Sequence, residues 1–291
     1  MHQIEPGILY EDSYFGVTLG ALISPSGVIM IDAPLRGEEA RAWRTILLNQ
    51  RGGINRVLVC LDAHPDRTLG ARALESTIIA HQNTALVFRN RPTIFKGQSP
   101  ESGSDWETSS DSIGIRWASP DVTFSERMTL HWGNVDVILE HHPGPMPGSL
   151  WVSIPDSKVI FVGDAVLVNQ PPFLAYADLE SWITSLEHLV RGYKDYFIVS
   201  GRGGPGTIKE VRAQIRFLKS VLDGFEKLNR KDSAPEAVEN MVNPLLKTYL
   251  LDNELRERYA QRLRYGLIQC YARRYRSTNE MGDSEITTEE Q

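Results

Sequence analysis

Apolar runs of strand length alternate with a helical pattern in the first part of the chain. Ala40, Trp43 and Leu47 recur at helical spacing and predict a helix over residues 36–50. A Ser-Pro-Ser-Gly segment at 24–27 predicts a turn between two of the strands. The predicted strands are residues 17–23, 28–31, 57–61 and 77–80.

A second batch of strands follows the polar segment 98–112, which is predicted to be a loop. Two pairs of runs with short turns predict hairpins, and they are followed by a helix over 179–191 and a strand over 196–199. The paired runs are 128–132 with 135–140 and 150–154 with 159–162. Strands in two batches with helices between them favour an α+β fold, a four-layer αββα sandwich.

The chain becomes helical after Gly206. Thr207 and Glu210 form a predicted capping box, followed by apolar residues at three- and four-residue spacing. A second capping box is predicted at Ser233, with a break at Pro244, and Asp252 is predicted to cap a helix running to about residue 276. The predicted organisation is an αββα domain over 1–206, a helical extension packed on it over 207–276, and a disordered tail over 277–291.

Composition narrows the possible partners. The net charge is −6 over 291 residues, which argues against nucleic acid as the main partner. The two cysteines, Cys60 and Cys270, are far apart and suggest neither a disulfide framework nor a thiolate zinc site. No secretory signal or bilayer-length apolar run is evident, so we expect a cytoplasmic protein without membrane association.

The richest chemistry follows the strand at 57–61. Asp62, His64 and Asp66 alternate along the chain, and such spacing in an extended segment places metal-ligating side chains on one side. Together with Arg67, they resemble the His-x-His-x-Asp-His motif of the metallo-β-lactamase superfamily, with Asp62 at the first histidine and Arg67 at the last.

Three later segments extend this resemblance. Residues 143–149 resemble P-G-H-T-x-G-S with Pro145 at the ligand histidine, and 161–164 match the strand ending in a metal-bridging aspartate, here Asp164. Arg202 stands where the last ligand histidine is expected, and Asp32 matches a structural aspartate. The resemblance implies a sandwich that holds two metal ions and hydrolyses esters, amides, thioesters or phosphoesters.

The replaced ligands suggest a loss of metal. We hypothesise that Arg67 and Arg202 supply the positive charge beside Asp66 and Asp164, because guanidinium groups pair well with carboxylates. The predicted protein is then non-hydrolytic or ligand-binding, without a cofactor. In an open cleft these arginines, with Asp62 and Asp164, would bind a small anionic ligand.

Two alternatives stay open. In the first, Asp62, His64 and Asp164 hold one zinc, iron or manganese ion in a hydrolase of an ester, lactone or thioester. His64 or Asp66 would then position or deprotonate the attacking water. In the ligand-binding protein, the C-terminal helices would cover the cleft or mediate homodimerisation. In the second alternative, the protein is a purely structural partner that uses these helices as an interface. His141 and His142 are predicted to face opposite sides of a strand, away from any metal.

Overall fold

The computed structural model describes residues 1–50, 52–95, 102–108 and 113–276. The predicted tail over 277–291 lies outside these residues, and so does most of the predicted loop over 98–112.

The first sheet has seven strands in chain order. They are β1 (His2–Glu5), β2 (Ile8–Glu11), β3 (Leu19–Ser24), β4 (Gly27–Ile31), β5 (Asn55–Val59), β6 (Thr77–His81) and β7 (Val122–Phe124). Strands β1 to β4 pair antiparallel, whereas β4 to β7 pair parallel. The change follows from the connections, because a tight turn reverses the chain and a parallel neighbour requires a longer crossover. Strands β1, β2 and β7 were not predicted.

The second sheet has six strands in the order β13-β12-β11-β10-β9-β8. They are β8 (Arg127–Trp132), β9 (Val135–His141), β10 (Leu150–Ile154), β11 (Val159–Leu167), β12 (Phe197–Arg202) and β13 (Pro205–Gly206). Both predicted hairpins are confirmed, since β8 pairs antiparallel with β9 and β10 with β11. Strand β12 runs parallel to β11.

The α-helices among the described residues are α1 (Gly37–Leu48), α2 (Gln82–Asn90), α3 (Leu179–Gly192), α4 (Ile208–Asn229), α5 (Glu239–Leu246) and α6 (Asn253–Tyr275). Thr207 and Glu210 form the predicted capping box of α4, and the Asp252 side chain caps α6 by accepting from the backbone N–H of Leu255. The predicted cap at Ser233 is wrong, because α5 follows a short 3₁₀ turn instead. Pro244 lies inside α5, where it removes a single hydrogen-bond donor close to the helix end.

The layers confirm the predicted αββα sandwich. Ile29, Val59, Leu139 and Phe161 belong to the buried cluster between the two sheets. Trp43 of α1 is fully buried against the outer face of the first sheet. Helices α3 and α4 cover the outer face of the second sheet, where Trp182 donates to the carbonyl oxygen of Ala165 at 2.9 Å.

The core of the second outer layer continues past residue 206. Val211, Leu246 and Leu267 belong to the same buried cluster as Ile160 and Trp182. The C-terminal helices therefore pack on the sandwich over a shared core. Over the described residues, we find no helix with the length and hydropathy that crossing a bilayer requires.

Candidate functional site

The predicted site residues meet at one edge of the sandwich. Asp32 directly follows β4, Asp62 lies shortly after β5, and Asp164 and Arg202 lie on the parallel strands β11 and β12. Parallel neighbours bring their carboxyl ends to the same edge of a sheet, so residues far apart in sequence come together there. Asp66 and Arg67 reach the same place from a 3₁₀ turn. The shared edge is fully buried, with Asp62, Asp164 and Arg202 at most 2% exposed.

Arg67 lies at the centre of the carboxylates. Its Nη1 donates to Oδ2 of Asp32 at 2.8 Å, and its Nη2 contacts Oδ1 of Asp164. Its Nε lies 3.5 Å from Oδ1 of Asp62. The side chain has no exposed surface, so its charge is balanced by these carboxylates rather than by solvent.

Arg202 joins two of the carboxylates. Its Nη2 donates to Oδ2 of Asp66 at 2.5 Å, and its Nε donates to Oδ1 of Asp164 at 3.2 Å. The guanidinium carbon also lies 4.4 Å from the centroid of the Phe173 ring, in cation–π range. Arg67 and Arg202 therefore share Asp164, and we call Asp32, Asp62, Asp66, Arg67, Asp164 and Arg202 the ion-pair centre.

His64 lies beside this centre. Its Nδ1 is 3.1 Å from Oδ1 of Asp62 and 3.3 Å from Oδ2 of Asp164, but it makes no hydrogen bond of suitable geometry within the described residues. Burial disfavours the imidazolium, but the charges of Asp62 and Asp164 outweigh burial and raise the pKa of His64. A protonated His64 adds a third positive charge to the cluster.

The carboxylates respond differently to burial. Complete burial raises the pKa of Asp32 to about 7, although Nη1 of Arg67 lies 2.8 Å from its Oδ2. Burial acts in the same direction on Asp62 and Asp164, but the adjacent guanidinium groups lower the pKa of both carboxyls. The latter two therefore remain ionised and bind the arginines as charged partners.

Three of these residues have the donor set of a metal site. One oxygen each of Asp62 and Asp164 and one ring nitrogen of His64 lie within 4.8 Å of one another. Two carboxylates and one imidazole suit a single zinc, iron or manganese ion. The same carboxylates also contact Arg67, so a second ion would compete with the guanidinium groups for their oxygens.

Glycines permit the close approach of these groups. A Cβ on Gly201 would lie 2.4 Å from Oδ1 of Asp164, and one on Gly163, which has a φ of +55°, would lie 3.2 Å from Nη1 of Arg67. Asp32 itself has a φ of +59°, a left-handed conformation that aspartate tolerates better than most residues. Gly163 and Gly201 therefore allow the backbone to pass close to Arg67 and Asp164.

The other histidines near the sequence motifs take part in ring stacks. The His141 ring stacks on His81 with centroids 3.8 Å apart, and the His142 ring stacks on Trp151 at 3.7 Å. These contacts lie on opposite sides of β9, as predicted. Over the described residues, the only metal-type cluster is the one that contains Asp62, His64 and Asp164.

A cavity of about 250 Å³ adjoins the ion-pair centre at His64. Its wall includes the aromatic rings of Phe95, Trp106, Trp117 and Phe173. No sequence motif indicates this cavity or its charged residues, Arg91, Glu107 and Arg262.

Helix α6 forms one side of the cavity through Arg262, Tyr265 and Gly266. Nη1 of Arg262 donates to Oε1 of Gln170 at 3.1 Å, and its guanidinium carbon lies 4.0 Å from the centroid of Phe173. A Cβ on Gly266 would lie 3.1 Å from the Leu174 side chain, so the helix passes close to Leu174, which also lines the cavity. The C-terminal extension therefore covers the cleft beside the ion-pair centre.

Comparisons with known proteins agree with the fold described above. The family model described as the metallo-beta-lactamase superfamily matches residues 16–201. Among curated proteins, no significant match is found.

Solved structures with the same fold include a metallo-beta-lactamase from Pontibacter korlensis, which is 19% identical with a TM-score of 0.57, covering 75% of this chain and 97% of its own. The DIM-1 metallo-beta-lactamase is 16% identical with a TM-score of 0.57, covering 75% of this chain and 96% of its own. The stereoselective inverting sec-alkylsulfatase Pisa1 from Pseudomonas sp. is 13% identical with a TM-score of 0.65. It covers 99% of this chain, which spans 52% of the alkylsulfatase.

Proposed function

The chain belongs to the metallo-β-lactamase superfamily, and on that premise we propose that it is a non-hydrolytic, ligand-binding member whose metal charge has been replaced by Arg67 and Arg202. The observation that carries the proposal is the shared contact of both guanidinium groups with Asp164. Resemblance to the family assigns metal bridging to this aspartate.

Charge balance supports the replacement. Without positive charge, Asp62, Asp66 and Asp164 would repel one another in a buried site, and this repulsion would destabilise the fold. Arg67 and Arg202 provide two fixed positive charges at the positions of two ligand histidines, because guanidinium groups stay protonated in proteins. The arginines can therefore stabilise the carboxylates without a metal ion.

The covered cleft supports a binding role. The cavity lies between the ion-pair centre and α6, and His64 belongs to its wall. Arg67 and Arg202 are at most 2% exposed and engaged with carboxylates, so a ligand would be received in the cavity rather than by these guanidinium groups.

A single-metal hydrolase is the second candidate, because the donor atoms of Asp62, His64 and Asp164 converge within 4.8 Å. These residues would hold the ion, which would act as a Lewis acid toward an ester, lactone or thioester when bound. Asp66 would then accept a proton from the attacking water through Oδ1, which has no hydrogen-bond partner within the described residues.

Metal content separates the two candidates. We expect protein produced with added zinc, iron and manganese to carry far less than about one ion per chain by plasma mass spectrometry. We also expect no turnover of ester, lactone and thioester substrates. About one tightly bound ion per chain, lost in His64→Ala, together with hydrolysis lost in the same variant, would establish the second candidate instead.

A gain-of-metal variant provides a stricter test. Arg67→His combined with Arg202→His restores imidazoles at two positions where the family resemblance places ligands. If the guanidinium groups replaced metal charge, the double variant should bind zinc that the wild type does not bind. The matched control is Arg127→His with Arg230→His, two exposed arginines whose replacement should leave zinc content unchanged.

Homodimerisation through the C-terminal helices stays a separate prediction, which sedimentation of the full chain would test.

A further inference from the structure

A partly buried cation, with no carboxylate partner within the described residues, lies in the cavity wall. Arg91, just after α2, donates from Nη2 to the carbonyl oxygen of Ala63 at 2.5 Å. Its Nη1 is buried, and no acceptor for it is present over residues 1–50, 52–95, 102–108 and 113–276. An unpaired buried donor on a charged group is costly, so this nitrogen is suited to an anionic group brought by a ligand.

The surroundings of Arg91 are aromatic. Its guanidinium carbon lies 4.4 Å from the centroid of Trp117 and 5.1 Å from that of Phe88. Phe95 packs edge-to-face with Trp106 and Trp117, with centroids 5.7 and 5.9 Å apart. Such rings favour the flat apolar body of a ligand, which they contact through dispersion and edge-to-face packing.

The other charged groups of the wall contact partners within the protein, and Nδ1 of His64 lies 3.1 Å from Oδ1 of Asp62 and 3.3 Å from Oδ2 of Asp164. The carboxylate of Glu107 accepts from the backbone N–H of Ser102 at 3.0 Å and from that of Ser104 at 3.2 Å. Arg262 donates to Gln170 and packs over Phe173. The charge recognition offered to a ligand therefore comes from Arg91.

The size of the cavity limits the ligand. An apolar cavity of about 150 Å³ accommodates benzene, and this one measures about 250 Å³. It is smaller than the sites of about 300 Å³ or more that hold drug-sized molecules. A one- or two-ring molecule with a single acidic group fits these limits.

We propose that the cavity binds a small planar aromatic carboxylate, with its carboxylate on the guanidinium group of Arg91 and its ring among Phe95, Trp106 and Trp117. The proposal deepens the ligand-binding role above and rests on it. Because Arg91 also holds the carbonyl oxygen of Ala63, the bound carboxylate would lie next to the segment that carries Asp62 and His64.

The test uses 2-naphthoate and its neutral analogue 2-naphthamide with the full chain. Binding is followed by quenching of tryptophan fluorescence, since Trp106 and Trp117 line the cavity, and by calorimetry. A hydrogen bond to a charged group contributes about 1.5–3 kcal/mol, so we expect the acid to bind at least about 10-fold more tightly than the amide.

Variants assign the preference to one residue. Arg91→Gln should weaken 2-naphthoate binding by about 10-fold or more and leave 2-naphthamide binding unchanged. Arg89→Gln is the matched control, because Arg89 is an exposed arginine on the same helix and should retain wild-type binding of both compounds. Arg91→Lys keeps a positive charge and should retain part of the preference for the acid.

Several results would overturn the proposal. They are equal binding of acid and amide by the wild type, no binding of either compound, or equal losses in Arg91→Gln and Arg89→Gln. The acid-to-amide ratio of the wild type decides the question even if Arg91→Gln does not fold. The same titration after chelator treatment separates the two proposals. If chelation abolishes binding of the acid, a metal rather than Arg91 holds the carboxylate. If the protein contains no metal and does not bind 2-naphthoate, only the proposed class of ligand is refuted.

Discussion

Two adjoining regions of this protein hold arginines in opposite charge environments, one fully buried and one partly buried. In the ion-pair centre, Arg67 contacts Asp32, Asp62 and Asp164, and it has no exposed surface. In the cavity wall, Arg91 contacts a carbonyl oxygen and aromatic rings, and within the described residues it has no carboxylate partner at ion-pair distance. The difference is that Arg67 balances buried carboxylates, whereas Nη1 of Arg91 has no hydrogen-bond acceptor within the described residues.

The largest effect on stability is expected when Arg67 is replaced. Replacing Arg67 by Met leaves Asp32 buried without its cation and Asp164 paired with Arg202 alone, and breaking a buried pair in this way costs about 3–5 kcal/mol. We expect that loss in the free energy of unfolding, measured by urea denaturation.

Arg127→Met is the control for Arg67→Met. Arg127 also pairs with a carboxylate, that of Glu140, but its side chain is 58% exposed. Exposed pairs contribute about 0–1 kcal/mol, so this variant should remain close to the wild type. A loss of stability in Arg67→Met no larger than that in Arg127→Met would contradict the interpretation of the ion-pair centre.

His142 extends the comparison to a partly buried base that has no acidic partner within the described residues. Burial, with further contributions from His188 and His141, lowers the pKa of His142 to about 3. The unfolded chain takes up this proton near pH ~6.5, so between these values the unfolded state binds more protons. Stability should therefore fall as the pH drops below about 6.5, by up to about 1.4 kcal/mol per pH unit from this group.

The variant His142→Phe keeps a ring on Trp151 and removes the titrating group. We expect the slope of unfolding free energy between about pH 6.5 and 5 to be shallower in this variant than in the wild type. Trp151→Phe alters the stacking partner without removing the imidazole, so it should keep a steeper slope than His142→Phe. Identical slopes in the wild type and His142→Phe would show that His142 does not titrate as proposed.

The smallest effect is expected at Arg91. Arg91→Gln leaves no carboxylate unpaired. The variant loses one hydrogen bond and a cation–π contact, but it also no longer has to bury a charge, so the two effects offset each other. The free energy of unfolding should change by about 1 kcal/mol or less in urea denaturation. A loss comparable to that of Arg67→Met would mean that Arg91 is mainly structural, and the contrast between the two regions would disappear.

Local signals explain what could be predicted from the sequence. The Thr207 capping box and the hairpins depend on residues close together in the chain, so their spacing determines the structure. The meeting of Arg67 and Arg202 with Asp66 and Asp164 was also predictable, because the family resemblance brings those segments to one edge. The boundary between an αββα domain and an extension at residue 206 stays a prediction.

Residues brought together only by tertiary packing could not be predicted. Arg91 and Arg262 meet the same cavity from α2 and α6, and no spacing or motif relates them. The short edge strand β1 carries exposed polar residues, so it lacks the apolar alternation that identifies a half-buried strand. The predicted helix break at Pro244 is wrong for another reason, because a proline near a helix end can be tolerated by surrounding packing.

The position of α6 has a consequence for synthesis on the ribosome. All residues of the ion-pair centre precede residue 206, whereas Arg262, Tyr265 and Gly266 of the cavity wall come from α6. At about 5–20 residues per second, the ribosome adds these three α6 residues several seconds after Arg202. All residues of the ion-pair centre are therefore synthesised before the side of the cavity that α6 supplies.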